Sequence, residues 1–180
     1  MPRLPRDAVA GIYHVTAHSV WTAPLFRDDV DRATFLRELV VVAQRPRWSC
    51  ISFCLMTTHV HLLVDFEDES LPLVMHQLNG RYAQKTNARH RLRGHVFADR
   101  YGSRRIGSDG DLMTTFRYVA RNPVQAGLCD VPGDWPWSSY RTLIDGGDGV
   151  AYIDASRVLG CFGTPPAAAL ERLRAFVEAP

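Results

Sequence analysis

No apolar run in the 180 residues is long enough to cross a bilayer, so a membrane-spanning helix is not expected. The opening stretch, Met1-Pro-Arg-Leu-Pro-Arg6, lacks the apolar core of a secretory signal, and the expectation is a cytoplasmic chain with no membrane partner. Cysteine is sparse. Cys50, Cys54, Cys129 and Cys161 have neither the close pairing of a zinc knuckle nor the density of a secreted disulfide framework, and they read as reduced, mostly buried thiols. Internal repeats and low-complexity blocks are missing too. With 46% hydrophobic residues the chain can still bury a proper core, so one main domain over residues 1–143 and a tail over 144–180 are expected.

A net charge of +2 looks neutral but is unevenly spread. Between Gly80 and Gly107 stand Arg81, Lys85, Arg89, Arg91, Arg93, Arg100, Arg104 and Arg105 against the single acid Asp99, so this segment carries +7 and the remainder −5. A stretch so short of compensating acids suits phosphate contacts with a nucleic acid, and Phe97 and Tyr101 within it are candidates for stacking on unpaired bases. The competing reading is an ordinary solvated helix face followed by a charged loop.

Periodicity places the elements. Gly11 to Val20 has the β-type residues of a first strand. From Asp28 to Gln44, Val30, Ala33, Leu36, Val40 and Ala43 recur at helical spacing, and Pro46 follows the stop. Trp48 to Met56, with Ile51, Phe53 and Leu55 assigned to one face, and His59 to Phe66 read as a hairpin joined by Thr57-Thr58. Ser70 is a candidate cap for a second helix to Arg89, whose stripe is Leu71, Val74, Met75, Leu78 and Tyr82. A short strand at Ser103 to Ile106 and a third helix from Asp109 to Arg121, ending near Asn122-Pro123, complete the pattern. The order is β-α-β-β-α-β-α, a ferredoxin-like α+β sandwich with an antiparallel sheet and one extra helix. A further helix is expected over Ala167 to Val177.

Two pairs of residues carry chemistry. His59 and His61 lie two apart in a strand, so both imidazoles project from one face and are close enough to share a metal ion, while Val60, Leu62 and Val64 point into the core. A lone H-x-H is also a common accident of strand edges. On the third helix, Leu112, Met113, Phe116, Val119 and Ala120 form the apolar stripe, and Tyr118 lies nearly opposite its centre. Asn122, one turn later, shares that polar face, a pairing that suits a nucleophile beside a metal ligand. Tyr82 sits on an apolar stripe and reads as core.

Five segments in this order, Gly11-Ile-Tyr-His-Val-Thr16, Leu55-Met-Thr-Thr-His-Val-His-Leu-Leu-Val64, Gly94-His-Val-Phe-Ala-Asp-Arg-Tyr101, Tyr118-Val-Ala-Arg-Asn-Pro-Val-Gln-Ala-Gly127 and Trp135-Pro-Trp-Ser-Ser-Tyr140, resemble the REP-associated tyrosine transposases, a branch of the single-tyrosine HUH transposases. Thr57-Thr58 stands where the family usually has Pro-Asn, and His18-Ser19 where it usually has Arg-Gly.

The resemblance implies an HUH nuclease domain over 1–143, a divalent metal (Mg2+ or Mn2+) on His59, His61 and Asn122, and Tyr118 as the nucleophile. It implies single-stranded or hairpin DNA as partner, hairpins of repeated extragenic palindromes in particular, with Arg3 and Arg6 adding contacts to a guide sequence. Either a monomer or a homodimer is compatible with it. The alternative is a catalytically silent hairpin-binding protein of the same fold.

Overall fold

A computed structural model describes residues 9–20, 23–67, 71–146 and 153–179. Arg3, Arg6 and the candidate cap Ser70 lie outside these. Strand β1 is Gly11–His18, helix α1 Asp29–Ala43, β2 Trp48–Leu55, β3 His59–Phe66, α2 Leu71–His90, β4 Gly102–Arg105 and α3 Asp109–Gln125. Three further helices follow: α4 (Ser139–Ile144), α5 (Ser156–Gly160) and α6 (Pro166–Glu178). The strands form one sheet in the order β2-β3-β1-β4, every neighbouring pair antiparallel. This is the ferredoxin-like arrangement expected, with β3 inserted between β1 and β2. None of the described helices is long and apolar enough to cross a membrane.

Side chains alternate across the strands, so the sheet feeds two cores. Val15, Ala17, Val60, Leu62 and Val64 pack under α1 and α2 with Phe35, Leu39, Leu78 and Tyr82. Ile12, Ile51 and Leu63 face the other way, under Phe116 of α3 and Val158, Leu173 and Val177 of the C-terminal helices. The C-terminal helices α5 and α6 thus complete the core on the α3 face. Arg117 and Arg121 of α3 also donate hydrogen bonds to the last carbonyls of α6, Arg117 to Ala179 at 2.6 Å and Arg121 to Val177 at 3.0 Å.

Three expectations need correction. Ile51 does not share a face with Phe53 and Leu55, because a bulge between Cys50 and Ser52 adds one residue to β2 and turns Ile51 into the α3-side core. The buried stripe of α1 is not Val30, Ala33, Leu36, Val40 and Ala43: it is Asp31, Phe35, Glu38, Leu39 and Val42, and Val30 is 50% exposed. Apolar residues occur all round this helix, so spacing alone could not select the face, and the chosen face includes two acids.

The third correction concerns α3, which continues past Pro123 to Gln125. A proline near a helix end removes a single backbone bond. The stop is instead Gly127, with φ 67°, whose left-handed backbone lets its N–H reach the Val124 carbonyl while Leu128 bonds the Pro123 carbonyl. Asn122 is therefore fully helical, one turn beyond Tyr118.

Candidate active site

Strand β3 starts with His59 and His61 on the α3 side of the sheet, as two-residue alternation requires. The register between β1 and β3 sets His18 opposite His59 and Thr16 opposite His61. His14, Thr16 and His18 share a face of β1, so two strands bring four imidazoles together. His18 stacks on His59 with ring centroids 4.9 Å apart, and His14 on His61 at 5.1 Å. His14 Nε2 lies 2.9 Å from His61 Nδ1.

Over this cluster α3 presents its polar face. The Tyr118 ring is 5.6 Å from that of His61 and 6.0 Å from that of His14, edge-on to both, and 45% exposed. Asn122 is 8% exposed, and its carboxamide interacts with both His59 and His61. The four residues singled out from sequence therefore converge in one place. His14 and His18 escaped that reading, although their even, four-residue spacing, which puts both on one strand face, was there to be seen. What was not visible was the cross-strand register that gives the spacing meaning.

The electrostatics favour the neutral forms of His14, His59 and His61. Burial, reinforced by the imidazoles of His59, His14 and His18, pushes His61 down to about 3, and the Asn122 amide opposes this only weakly. Burial and then the Arg104 guanidinium bring His14 down to about 4, and His59 is lowered by burial and by His18. A neutral imidazole offers a lone pair. When His61 donates from Nδ1 to His14, its Nε2 lone pair is left, and Nε2 is buried with no hydrogen-bond partner. His59 Nδ1 is 3.2 Å from the Thr58 hydroxyl, which leaves its Nε2 as well. The donor set fits a divalent ion. Among the described residues no three His, Cys, Asp or Glu side chains are arranged to hold one, and Asn122 is the amide beside the two histidines.

These shifts predict an acid-sensitive fold for the metal-free protein. The unfolded chain binds protons near 6.5, whereas folded His61 and His14 bind them only near 3 and 4, so the unfolded state gains protons first as pH falls. Stability from these groups is complete above about 6.5 and drains away toward 4. The urea midpoint, measured in chelator, is expected to fall steadily between about pH 7 and 5. A flat midpoint across that window would contradict the burial of neutral rings.

Three cations of the basic segment pair with acids on α1 and its N-cap, which corrects the reading of the segment as uncompensated there. Arg81 and Lys85 both bond Glu38, whose side chain is 2% exposed, and Arg89 bonds Asp28 and Asp31, with His90 joining at Asp31. Burial alone would raise Glu38, but hydrogen bonds from Lys85 and Arg81 outweigh it and hold the carboxyl below the usual range. Arg89 and the Asp31 amide bring Asp28 down to about 2. On the sheet edge Arg104 bonds Asp111 and Thr115, and Arg105 donates to the Ala10 carbonyl. Arg91, Arg93 and Arg100 are exposed. Tyr101 is only 7% exposed and belongs to the α1-α2 core, so its ring presents no free face for stacking; Phe97 is half-buried, its centroid 6.1 Å from that of Tyr82. Tyr82 is core as expected, its hydroxyl donating to the Leu25 carbonyl at 2.6 Å.

Comparison with known proteins agrees with this placement. Residues 11–122 match the sequence model of the family described as Transposase IS200 like. A Haemophilus influenzae protein, whose name assigns it by inference to the REP-associated tyrosine transposases, is 26% identical over 103 residues, 51% of this chain. The match spans 58% of that relative's length. Among solved structures, a REP-associated tyrosine transposase bound to a REP hairpin superimposes with a TM-score of 0.69 at 14% identity, covering 86% of this chain and 90% of that one, which shows a shared fold. With a family match that takes in the whole sheet, both metal-candidate histidines, Tyr118 and Asn122, the chain belongs to the IS200-like transposases.

Proposed function

We propose that the protein cuts and rejoins single-stranded DNA at hairpins through a covalent link to Tyr118. The observation that carries this is the approach of the Tyr118 ring to within 5.6 Å of His61 while 45% exposed, an aromatic residue held at the surface above a polar cluster rather than in a core. Family membership and the hairpin seen in the structural relative support it.

In this reading His59, His61 and Asn122 hold Mg2+ or Mn2+. Such an ion, when bound, neutralises the non-bridging oxygens of a phosphodiester and fixes it for attack. The remaining work belongs to the chain. Helix α3 aims the phenol oxygen of Tyr118 at the phosphorus; a bond forms there as the bond to the 3′ oxygen breaks. The phenol proton passes to solvent, and the departing 3′ oxygen takes up a proton. The fragment downstream of the break stays on Tyr118 through its 5′ phosphate as a phosphotyrosine, whose bond energy lets a second 3′ hydroxyl rejoin the strand without ATP. His14 and His18 back the two ligands from β1 and restrict their ring rotation.

The test is to incubate the protein with magnesium and a hairpin oligonucleotide labelled on the 3′ side of each phosphate in turn, then map any adduct by peptide mass spectrometry. An adduct on Tyr118 is expected. Tight binding without adduct or cleavage would instead mark a silent hairpin binder, and cleavage without adduct would mean that water attacks.

A further inference from the structure

Helix α2 carries a glycine near its middle that the fold does not ask for. A Cβ added at Gly80 meets no atom within 4 Å, and its backbone is not left-handed. Glycine weakens a helix interior relative to alanine, so something other than packing accounts for it. Gly80 instead lines a cavity of about 660 Å3 between α2 and the segment 94–101. That volume lies within the rough range of small-ligand pockets, about 300 to 1,000 Å3. Met75 and Phe97 supply apolar walls, with His76, Asn79 and His95 around them. The Asn79 Oδ1 atom is buried with no hydrogen-bond partner. None of the catalytic candidates lines the cavity.

We propose that this cavity receives one unpaired nucleobase of the strand being cut, an inference that rests on the DNA-cutting reading above. A base is flat and apolar on its faces and polar at its edge, which matches a ring and a thioether beside an amide and two imidazoles. The cavity wall is tied to the strand that carries His18. Val20 N–H bonds the Val96 carbonyl and Ala98 N–H the His18 carbonyl, both at 3.0 Å, so the cavity's outer wall runs along the end of β1 beside the His18–His59 stack. A strand leaving that cluster reaches the rim, where the exposed Arg100 adds positive charge. Holding one base there fixes how far along the strand the cut falls.

Gly80→Leu tests this, because an added Cβ there meets no atom within 4 Å, so the side chain projects into the cavity, and leucine strengthens the helix. The probe is a labelled DNA hairpin with unpaired mixed-sequence arms on both sides, each unpaired nucleotide replaced in turn by an abasic one. For the unmodified protein, affinity is expected to fall roughly tenfold or more at one position, in line with the loss of a stacked base. Gly80→Leu is expected to bind the intact hairpin more weakly by the same factor, with no further loss at that abasic position. Equal affinity of Gly80→Leu and the unmodified protein, two losses that multiply, or no sensitive position would each overturn the cavity's role. If the unmodified protein binds no hairpin at all, the DNA-cutting reading fails instead. Should Gly80→Leu melt below the unmodified protein, Ala83→Leu on the next turn is judged by the same criteria.

Discussion

Tyr118→Phe is expected to abolish the covalent DNA adduct and to lower cleavage by a factor on the order of 10^4 to 10^6, the scale seen when an enzyme's nucleophile is removed. Only one oxygen is lost. The ring stays edge-on to His14 and His61, and because Tyr118 is 45% exposed, neither the core nor the melting temperature should change. Hairpin affinity should also hold, since the ring and the surrounding cations are untouched. That combination separates chemistry from folding and binding in one variant. Cleavage that persists at the same rate in Tyr118→Phe would show that the phenol is a bystander and that the metal-candidate cluster activates water.

The largest effect on stability is expected from replacing Arg81 and Lys85 together with methionine. Glu38 would then keep a carboxylate that is 2% exposed with no cation to answer it, a situation that typically costs about 3 to 5 kcal/mol. Against a total stability of about 5 to 15 kcal/mol, that threatens the fold. Either single replacement should cost much less, because one cation remains. Adding Glu38→Leu to the double variant should recover most of the loss, since a buried pair and an apolar replacement are often close in energy. The native contribution has a definite sign in pH. Glu38 is held below its ordinary 4.5, so its stabilising effect is complete above that value and is lost as pH falls through the folded one. Urea unfolding at neutral pH measures the difference, and an unchanged midpoint in the double variant would show that Glu38 does not depend on these partners.

The second prediction concerns cations that hold the fold together. Arg81, Lys85 and Arg89 hold α2 against α1 through Glu38, Asp31 and Asp28, which lie more than forty residues away in the chain. A count of charge along one segment registers all eight cations alike. Only packing shows that several already answer acids, and that two of those acids sit on the buried face of α1 where an apolar stripe would be sought.

Local geometry was legible directly. Two-residue alternation put His59 and His61 on one face and Val60, Leu62 and Val64 on the other, and the helical period set Tyr118 and Asn122 together, away from Leu112, Phe116 and Val119. Such periods follow from backbone geometry that each residue obeys without reference to distant ones. The order of elements carried the ferredoxin-like topology for the same reason. Tertiary structure alone decided the β1-β3 register that stacks His14 and His18 on His61 and His59, the bulge that turns Ile51, the rotation of α1, and the cavity beside Gly80. Each of these depends on contacts between residues far apart in the chain, where the free energy of pairing and burial overrides what any short stretch prefers.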